Sequence, residues 1–421
     1  MMDQVSDYST ADAAADTEVV SPRRWWVVAV LMCAVVFGFF DRISVAVLFT
    51  WVPFQDAMGT GFNPARLGLL MSVFLFAYAL SAIFLSFVGD LLGHKRSLAL
   101  STTIWGLAMA GMGMVGSYPM MLVGRAVLGV AEGPQFSFAS ALVRRWFPRR
   151  EQSRASSIWL VGSPLGSAIG FPLVGFLVTS YGWRQSFFVL GAFNLLIVLP
   201  LVLLVVREWP AGAVAHRAAK PDRAAYRATV ATFLRDWKFW VLVLFNVGAL
   251  IYLWGLNSWL PTYLVKSRGI DLKSAGALSS LPFIAMFCGE VGGALASDRI
   301  GRHAVIAGTG MLVAALMMFV GTQMPSTTGA LIAMTISACG WGVAIPTYFA
   351  LTLRVLPPSA VAAGVGVFNG VGNLVGALAP VLIGAIIAET GSFDSGLLVL
   401  VGAPLISAVS LFSMAGLRYG S

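Results

Sequence analysis

The chain has 421 residues, of which 58% are hydrophobic and only 11% charged, with a mean hydropathy of +0.85. Soluble domains carry about 25% charged residues, so this composition excludes a water-soluble protein and indicates a polytopic membrane protein. The net charge of +9 does not indicate a nucleic-acid partner, because the basic residues are sorted along the chain. Cys33, Cys288 and Cys339 all lie in apolar runs, so they read as small hydrophobes, with neither a disulfide framework nor a metal site expected.

Within the segment 1–24, the first twenty residues are polar and acidic (Asp3, Asp7, Asp12, Asp16, Glu18), with no basic n-region ahead of a short apolar core. They read as a disordered cytoplasmic tail and not as a cleaved signal peptide. Apolar stretches long enough to span a bilayer follow near 25–52, 65–89, 97–115, 119–142, 153–180, 185–206, 238–265, 273–297, 303–322, 326–352, 360–388 and 393–415. The sequence thus predicts an all-α membrane protein of twelve transmembrane helices. With the N-terminus inside, twenty Lys and Arg fall on the inner side, five on the outer side and two within spans. This bias predicts that both termini are cytoplasmic, and it accounts for the basic charge as topology plus attraction to anionic lipid.

The polar stretch 207–237 reads as a cytoplasmic linker between two six-helix halves, 25–206 and 238–421. Asp90, Gly93 and Pro172 recur as Asp298, Gly301 and Pro380, all at an offset of 208 residues. Parallel-related halves of this kind are a transporter architecture.

Span one carries Asp41 and Arg42, and a charge at bilayer depth costs about 2.5–3.5 kcal/mol on insertion scales. In the loop after span two, Asp90, Gly93 and Arg96 form an acid–glycine–base pattern that Asp298, Gly301 and Arg302 repeat after span eight. Gly permits a tight turn, and the acids and bases are candidates for contacts that form in one conformation and break in another. Span four carries Arg125 and Glu132, seven residues apart and therefore on one helix face, about 10 Å apart along the axis. Small residues between them would let a second helix approach. The positions 208 residues later are Ala249, Leu250, Ala333 and Gly340, so the charged chemistry sits in the first half.

Further candidates follow in the second half. Glu290 in span eight lies eight residues before Asp298, about 12 Å inside the helix end. It reads as a structural partner of a basic residue such as Arg354, with a second proton site as the alternative. Trp254, Asn257, Trp259, Trp341 and Tyr348 could line a binding space or simply pack. Asn369 and Asn373 share a face of the Gly-rich span eleven, where an amide binds substrate or joins helices. Gly and Pro punctuate spans five and eleven alike, which suits rocking of one half against the other. His94 and His303 read as solvated loop residues. No nucleophile–base set points to an enzyme, and no polar segment is long enough for a sensor's output domain.

Phe40-Asp41-Arg42-Ile43-Ser44-Val45-Ala46, the run Arg125 to Pro134, Trp146-Phe147-Pro148, the run Trp259 to Leu264, and Phe368-Asn369-Gly370 resemble the anion:cation symporter family of the major facilitator superfamily. That family includes bacterial sugar-acid permeases and vesicular carriers of glutamate and sialic acid. The resemblance covers roughly 25–415. It implies that Asp41 and Glu132 carry protons, that Arg42 and Arg125 contribute to anion binding or coupling, and that Tyr78 and Asn369 touch substrate. Where those permeases place an amide in span five, this chain has Ser163, which offers one donor instead of two and argues against a polyhydroxylated sugar acid. The bottom-up chemistry agrees: Arg grips carboxylates bidentately, and desolvation favours the neutral form of a buried carboxyl group.

The expected function is therefore proton-coupled uptake of a small organic anion across the cytoplasmic (inner) membrane by a monomer, with no cofactor, no metal and H+ as the coupling ion. The alternative is an exporter or exchanger of organic anions or amphipathic drugs on the same fold.

Overall fold

The computed structural model describes residues 21–210, 231–356 and 361–414. Most of the acidic tail and of the linker therefore lie outside the described residues. Twelve helices are long and apolar enough to cross a membrane: α1 (Arg23–Leu48), α2 (Pro64–Phe84), α3 (His94–Met114), α4 (Tyr118–Trp146), α5 (Arg154–Tyr181), α6 (Trp183–Val205), α7 (Trp237–Lys266), α8 (Leu272–Ile300), α9 (His303–Gln323), α10 (Thr327–Thr352), α11 (Gly364–Thr390) and α12 (Phe393–Phe412). They match the spans read from the sequence, with ends shifted by a few residues in either direction.

The two halves repeat one packing plan. In the first, α2 packs on α4, α1 on α5, and α3 on α4 and α6; in the second, α8 packs on α10, α7 on α11, and α9 on α10 and α12. Apolar side chains gain nothing by leaving lipid for one another, so close backbone approach carries this packing. The α2–α4 contact is an example. Gly129 and Gly133, four residues apart, face α2 so tightly that an added Cβ would lie 2.3 Å from the Phe74 carbonyl oxygen and 2.0 Å from Ser81 Oγ. Among the described residues no β-strand is present.

Local breaks position the functional side chains. Pro134 supplies no N–H and cannot continue an unbroken ladder, so α4 is interrupted between Glu132 and Gln135. In α6 a π-helical turn spans Asn194–Val198, closed by the Leu199 N–H donating to the Asn194 carbonyl. In α11 the helix is interrupted after Gly376 and resumes at Ala379, ahead of Pro380.

The halves meet through α2 with α11 and α5 with α8. Several of their contacts lie between mid-depth and the end that carries the α1–α2 and α7–α8 loops. There Gly68 abuts the Pro380 carbonyl, and the Val381 N–H donates to Ser72 Oγ at 3.2 Å. Phe171 stacks on Phe283, Phe62 meets Phe393, and Lys266 Nζ sits 4.8 Å over the Phe62 ring. Nearer the opposite end, which carries residues 23 and 237, Ile83 of α2 lies beside Gly370 of α11.

Candidate functional site

Asp41, Arg42, Arg125 and Glu132 converge in the first half, each at most 1% exposed. Their surroundings are not alike. Arg42 Nε donates to Glu132 Oε2 at 2.7 Å, and an Arg42 terminal nitrogen lies 3.5 Å from Gln135 Oε1. The break after Glu132 lets Glu132 and Gln135 address the same guanidinium. Aromatic faces enclose its remaining surface: Phe39 at 4.7 Å, Tyr78 at 4.8 Å and Phe136 at 5.7 Å. A planar guanidinium suits such stacking, and an ammonium would not reproduce it. Glu132 Oε1 and Gln135 Nε2 are buried without a partner among the described residues, so the pair keeps unused hydrogen-bonding capacity beside Arg42.

Arg125 is differently employed. Its Nε donates to the Leu70 carbonyl, one terminal nitrogen to the Asp41 carbonyl and the other to the Arg42 carbonyl, each at 3.3 Å. A further contact reaches Met71 Sδ at 3.3 Å, and the guanidinium sits 4.5 Å over Phe74. Four contacts nearly exhaust the five N–H donors of an arginine. The sequence resemblance gave Arg125 a part in anion binding or coupling; in the structure its donors tie the α1 and α2 backbones to α4.

Asp41 points elsewhere again. Its Oδ2 accepts from Asn194 Nδ2 of α6 at 2.6 Å, while Arg42 faces α4. Adjacent residues on a helix diverge by about 100°, and here that divergence separates the acid from the base.

In the second half, neutral groups form a directed series. Trp254 Nε1 donates to Asn373 Oδ1 at 3.3 Å, and Asn373 Nδ2 donates to Asn369 Oδ1 at 2.9 Å. Asn369 is exposed, and its amide nitrogen ends the series with no hydrogen-bond partner among the described residues. Trp254 also stacks on Phe39 of α1, with ring centroids 6.2 Å apart. A continuous path of contacts thus joins Arg42 to Asn369: guanidinium, Phe39, Trp254, Asn373, Asn369.

Other expected site residues are placed differently. Asn257 is fully buried; its Oδ1 accepts from Ser167 of α5 at 3.0 Å and its Nδ2 donates to the Leu253 carbonyl. It joins the halves through Ser167. The Tyr348 hydroxyl donates to Asn246 Oδ1 at 2.8 Å, and Asn246 Nδ2 donates to the Phe368 carbonyl. The Trp259 and Trp341 indole N–H groups go to the carbonyls of Pro380 and Ala249. Ser163 is half-buried in α5.

Glu290 makes no ion pair among the described residues, so the expected link to Arg354 is absent. The reason is depth. Glu290 is level with Gly342 of α10, and Arg354 lies twelve residues further along, about 18 Å at 1.5 Å per residue.

Of the four expected switch residues, only Asp90 joins a charged cluster, 3.6 Å from His94 Nε2. The centre of that cluster is Glu208. It accepts from the backbone N–H groups of His94 and Lys95 at 2.9 and 2.8 Å and pairs with Arg145. A carboxylate at the N-terminus of α3 meets the unpaired N–H groups and the positive dipole end. Arg96, Asp298 and Arg302 are exposed and make no ion pair among the described residues. In the second half a neutral contact, Ser297 Oγ to His303 Nδ1 at 2.6 Å, takes the equivalent place. Both His94 and His303 are buried, not solvated as their loop positions suggested.

Sequence reading missed Asn194, Gln135, Asn246, Ser167 and Glu208. Asn194 had a visible signal, as a lone amide in the apolar run of span six. Gln135 follows the Gly-Pro break directly. Asn246, Ser167 and Glu208 carried none, since their roles depend on distant partners.

The profile of the Major Facilitator Superfamily matches residues 30–380. The chain belongs to this superfamily of membrane transporters. Over 410 residues it is 30% identical to the probable sulfoacetate transporter SauU of Cupriavidus necator, covering 89% of this chain and 91% of that protein. It is 27% identical to the probable galactarate/D-glucarate transporter GudP of Escherichia coli, covering 97% of both. Among solved structures, a bacterial homologue of the human lysosomal transporter Spinster, in an inward-facing and unoccupied conformation, superposes with a TM-score of 0.74 at 20% identity. That match covers 95% of this chain and 97% of the other. The twelve-helix fold and the likeness to organic-anion carriers read from the sequence both hold, and the family is one of transporters and not of enzymes.

Proposed function

We propose that this major facilitator protein takes up a small organic anion together with protons across the cytoplasmic membrane, by alternating access. The observation that carries the reading is the buried Arg42–Glu132 pair at 2.7 Å, boxed by aromatic rings and joined by contacts to the exposed amide of Asn369. A buried arginine is satisfied by one carboxylate at a time. With Glu132 ionised, the protein supplies that carboxylate itself. With Glu132 protonated, Arg42 is left with an uncompensated charge, which a substrate carboxylate neutralises. Proton and anion then bind together because each removes the penalty left by the other, and this differential affinity is the coupling free energy.

Asn369 supplies neutral donors to the remainder of the substrate, and Tyr78 lines the guanidinium. Asp41 is the second proton carrier, turned away from the anion. Arg125 holds the α1 backbone in register. A compact anion with one or two acid groups fits Ser163 better than a polyhydroxylated one does. Likenesses to carriers named for sulfoacetate, galactarate and tartrate support the anion class. With both termini cytoplasmic, as the Lys and Arg distribution supports, the contacts of Gly68 with Pro380, Ser72 with Val381 and Phe62 with Phe393 lie toward the outer side. We take the monomer as the working unit.

The test is uptake into proteoliposomes driven by an inward proton gradient. Gradient-driven accumulation that Asp41→Asn and Glu132→Gln abolish is the expected result. Accumulation indifferent to the gradient in wild type and both variants overturns the scheme.

A further inference from the structure

Asn194 ties Asp41 to the backbone of its own helix, α6. Asn194 Nδ2 lies 2.6 Å from Asp41 Oδ2 and 3.1 Å from the Leu190 carbonyl oxygen. Both partners are acceptors, so Leu190 fixes which end of the amide faces Asp41; a flipped amide would set oxygen against oxygen. With that orientation, Asp41 Oδ1 and Asn194 Oδ1 are both buried with no partner among the described residues. An ionised Asp41 offers only acceptors, which leaves both oxygens unsatisfied. One proton on Asp41 Oδ1 provides the missing donor, and Asn194 Oδ1 is the acceptor within the same pair.

The charged groups around Asp41 do not replace this arrangement. Arg42 turns to Glu132 on α4. Arg125, also from α4, gives a terminal nitrogen to the Asp41 backbone carbonyl. Facing the side chain from α6 is Asn194, the first residue of the π-helical turn. Such turns in α-helices frequently mark functional positions.

We propose that Asp41 is the protonated acid in this conformation and that Asn194 is the positioning residue that orients it, with the acid proton lying between Asp41 Oδ1 and Asn194 Oδ1. The inference rests on the reading of Asp41 as a proton carrier and adds how its proton is held. Release breaks the Asp41 O–H bond, leaves the electron pair on the carboxylate and passes the proton to water. It requires α1 and α6 to separate at this contact, so the site discharges only in a different conformation. Glu132, in direct contact with Arg42, is the acid that exchanges against substrate.

Infrared difference spectroscopy on the full-length protein in lipid at neutral pH tests the proposal. Wild type minus Asp41→Asn is expected to give a protonated-carboxyl C=O band. In Asn194→Leu that band moves to higher frequency, because the carbonyl loses the N–H donor. No Asp41-dependent band overturns the proposal, and so does a band that Asn194→Leu leaves in place. Asn194→Gln, which displaces the amide by one methylene, makes the same comparison if the leucine variant does not fold. Proton-driven uptake of wild type is measured on the same preparation. Its absence would sink the carrier reading while leaving the infrared result standing, so the two failures are distinguishable.

Discussion

The two halves share a packing plan and differ in their polar interiors. In the first half, Arg42, Glu132, Arg125 and Asp41 are buried and mutually arranged. In the second, the equivalent positions are uncharged, and Trp254, Asn373 and Asn369 form a neutral series of hydrogen bonds. Charge gives coupling, because ionisation of one group changes what its neighbour must bind. Neutral amides give selectivity with no response to pH. On the proposed reading the repeated framework moves, the first half couples protons to the anion's acid group, and the second half fits the rest of the substrate.

The comparison breaks first at Arg42. Arg42→Ala leaves Glu132 buried without its partner, and breaking a buried pair costs about 3–5 kcal/mol. We expect uptake to fall to background and the melting temperature in detergent to drop. Arg42→Lys is expected to restore little uptake, because an ammonium cannot keep both the stacking and the carboxylate geometry.

Glu132→Gln sharpens the comparison. The amide approximates a permanently protonated acid, so substrate exchange across the membrane persists while accumulation against a gradient falls at least about tenfold, the scale of a typical coupling free energy. Parallel exchange and net-uptake assays check this. Loss of both activities to the same extent would place Glu132 in the framework and not in coupling.

In the second half, Asn369→Ala removes a donor to a charged ligand, worth about 1.5–3 kcal/mol. We expect KM to rise about 10- to 100-fold, with the pH profile unchanged. A shifted pH optimum in this variant would contradict the division between the halves.

The smallest effect is expected at Asp271, which caps α8 by accepting from the Ser274 N–H at 2.9 Å. Hydrogen bonds from Ser274 hold its carboxyl below the usual carboxylate range. A lowered folded-state value means that this contribution is present above the unfolded value and is lost as pH falls through the folded one. Asp271→Ala should therefore lower thermal stability slightly at neutral pH and not at strongly acidic pH, with uptake unaffected.

These expectations rest on features of unequal visibility in the sequence. The spans were legible because about 20 apolar residues are needed to cross a bilayer. The repeat was legible from Asp90, Gly93 and Pro172 with their counterparts at a constant offset. Arg42 and Glu132 stood out because charge is rare at that depth. Their pairing did not, nor did the separate directions of Asp41 and Arg42, because helical periodicity gives a residue's direction but not what it meets there. Arg125 looked equivalent to Arg42 in sequence. Only the approach of the α1 and α2 carbonyls made it a strut, with Gly129 and Gly133 admitting α2 alone. Glu290 and Arg354 were candidates for pairing until the α8–α10 register set them on different levels. Asn194 was visible as an isolated amide, but a π-helical turn and a partner 153 residues away decide its role.

The central claim is that Glu132 and the substrate compete for Arg42. The most direct test is anion affinity of the purified protein across pH, in wild type and in Glu132→Gln. Wild-type affinity is predicted to weaken as pH rises and Glu132 ionises onto Arg42, while the variant binds equally well throughout. The same pH dependence in both proteins would contradict the account.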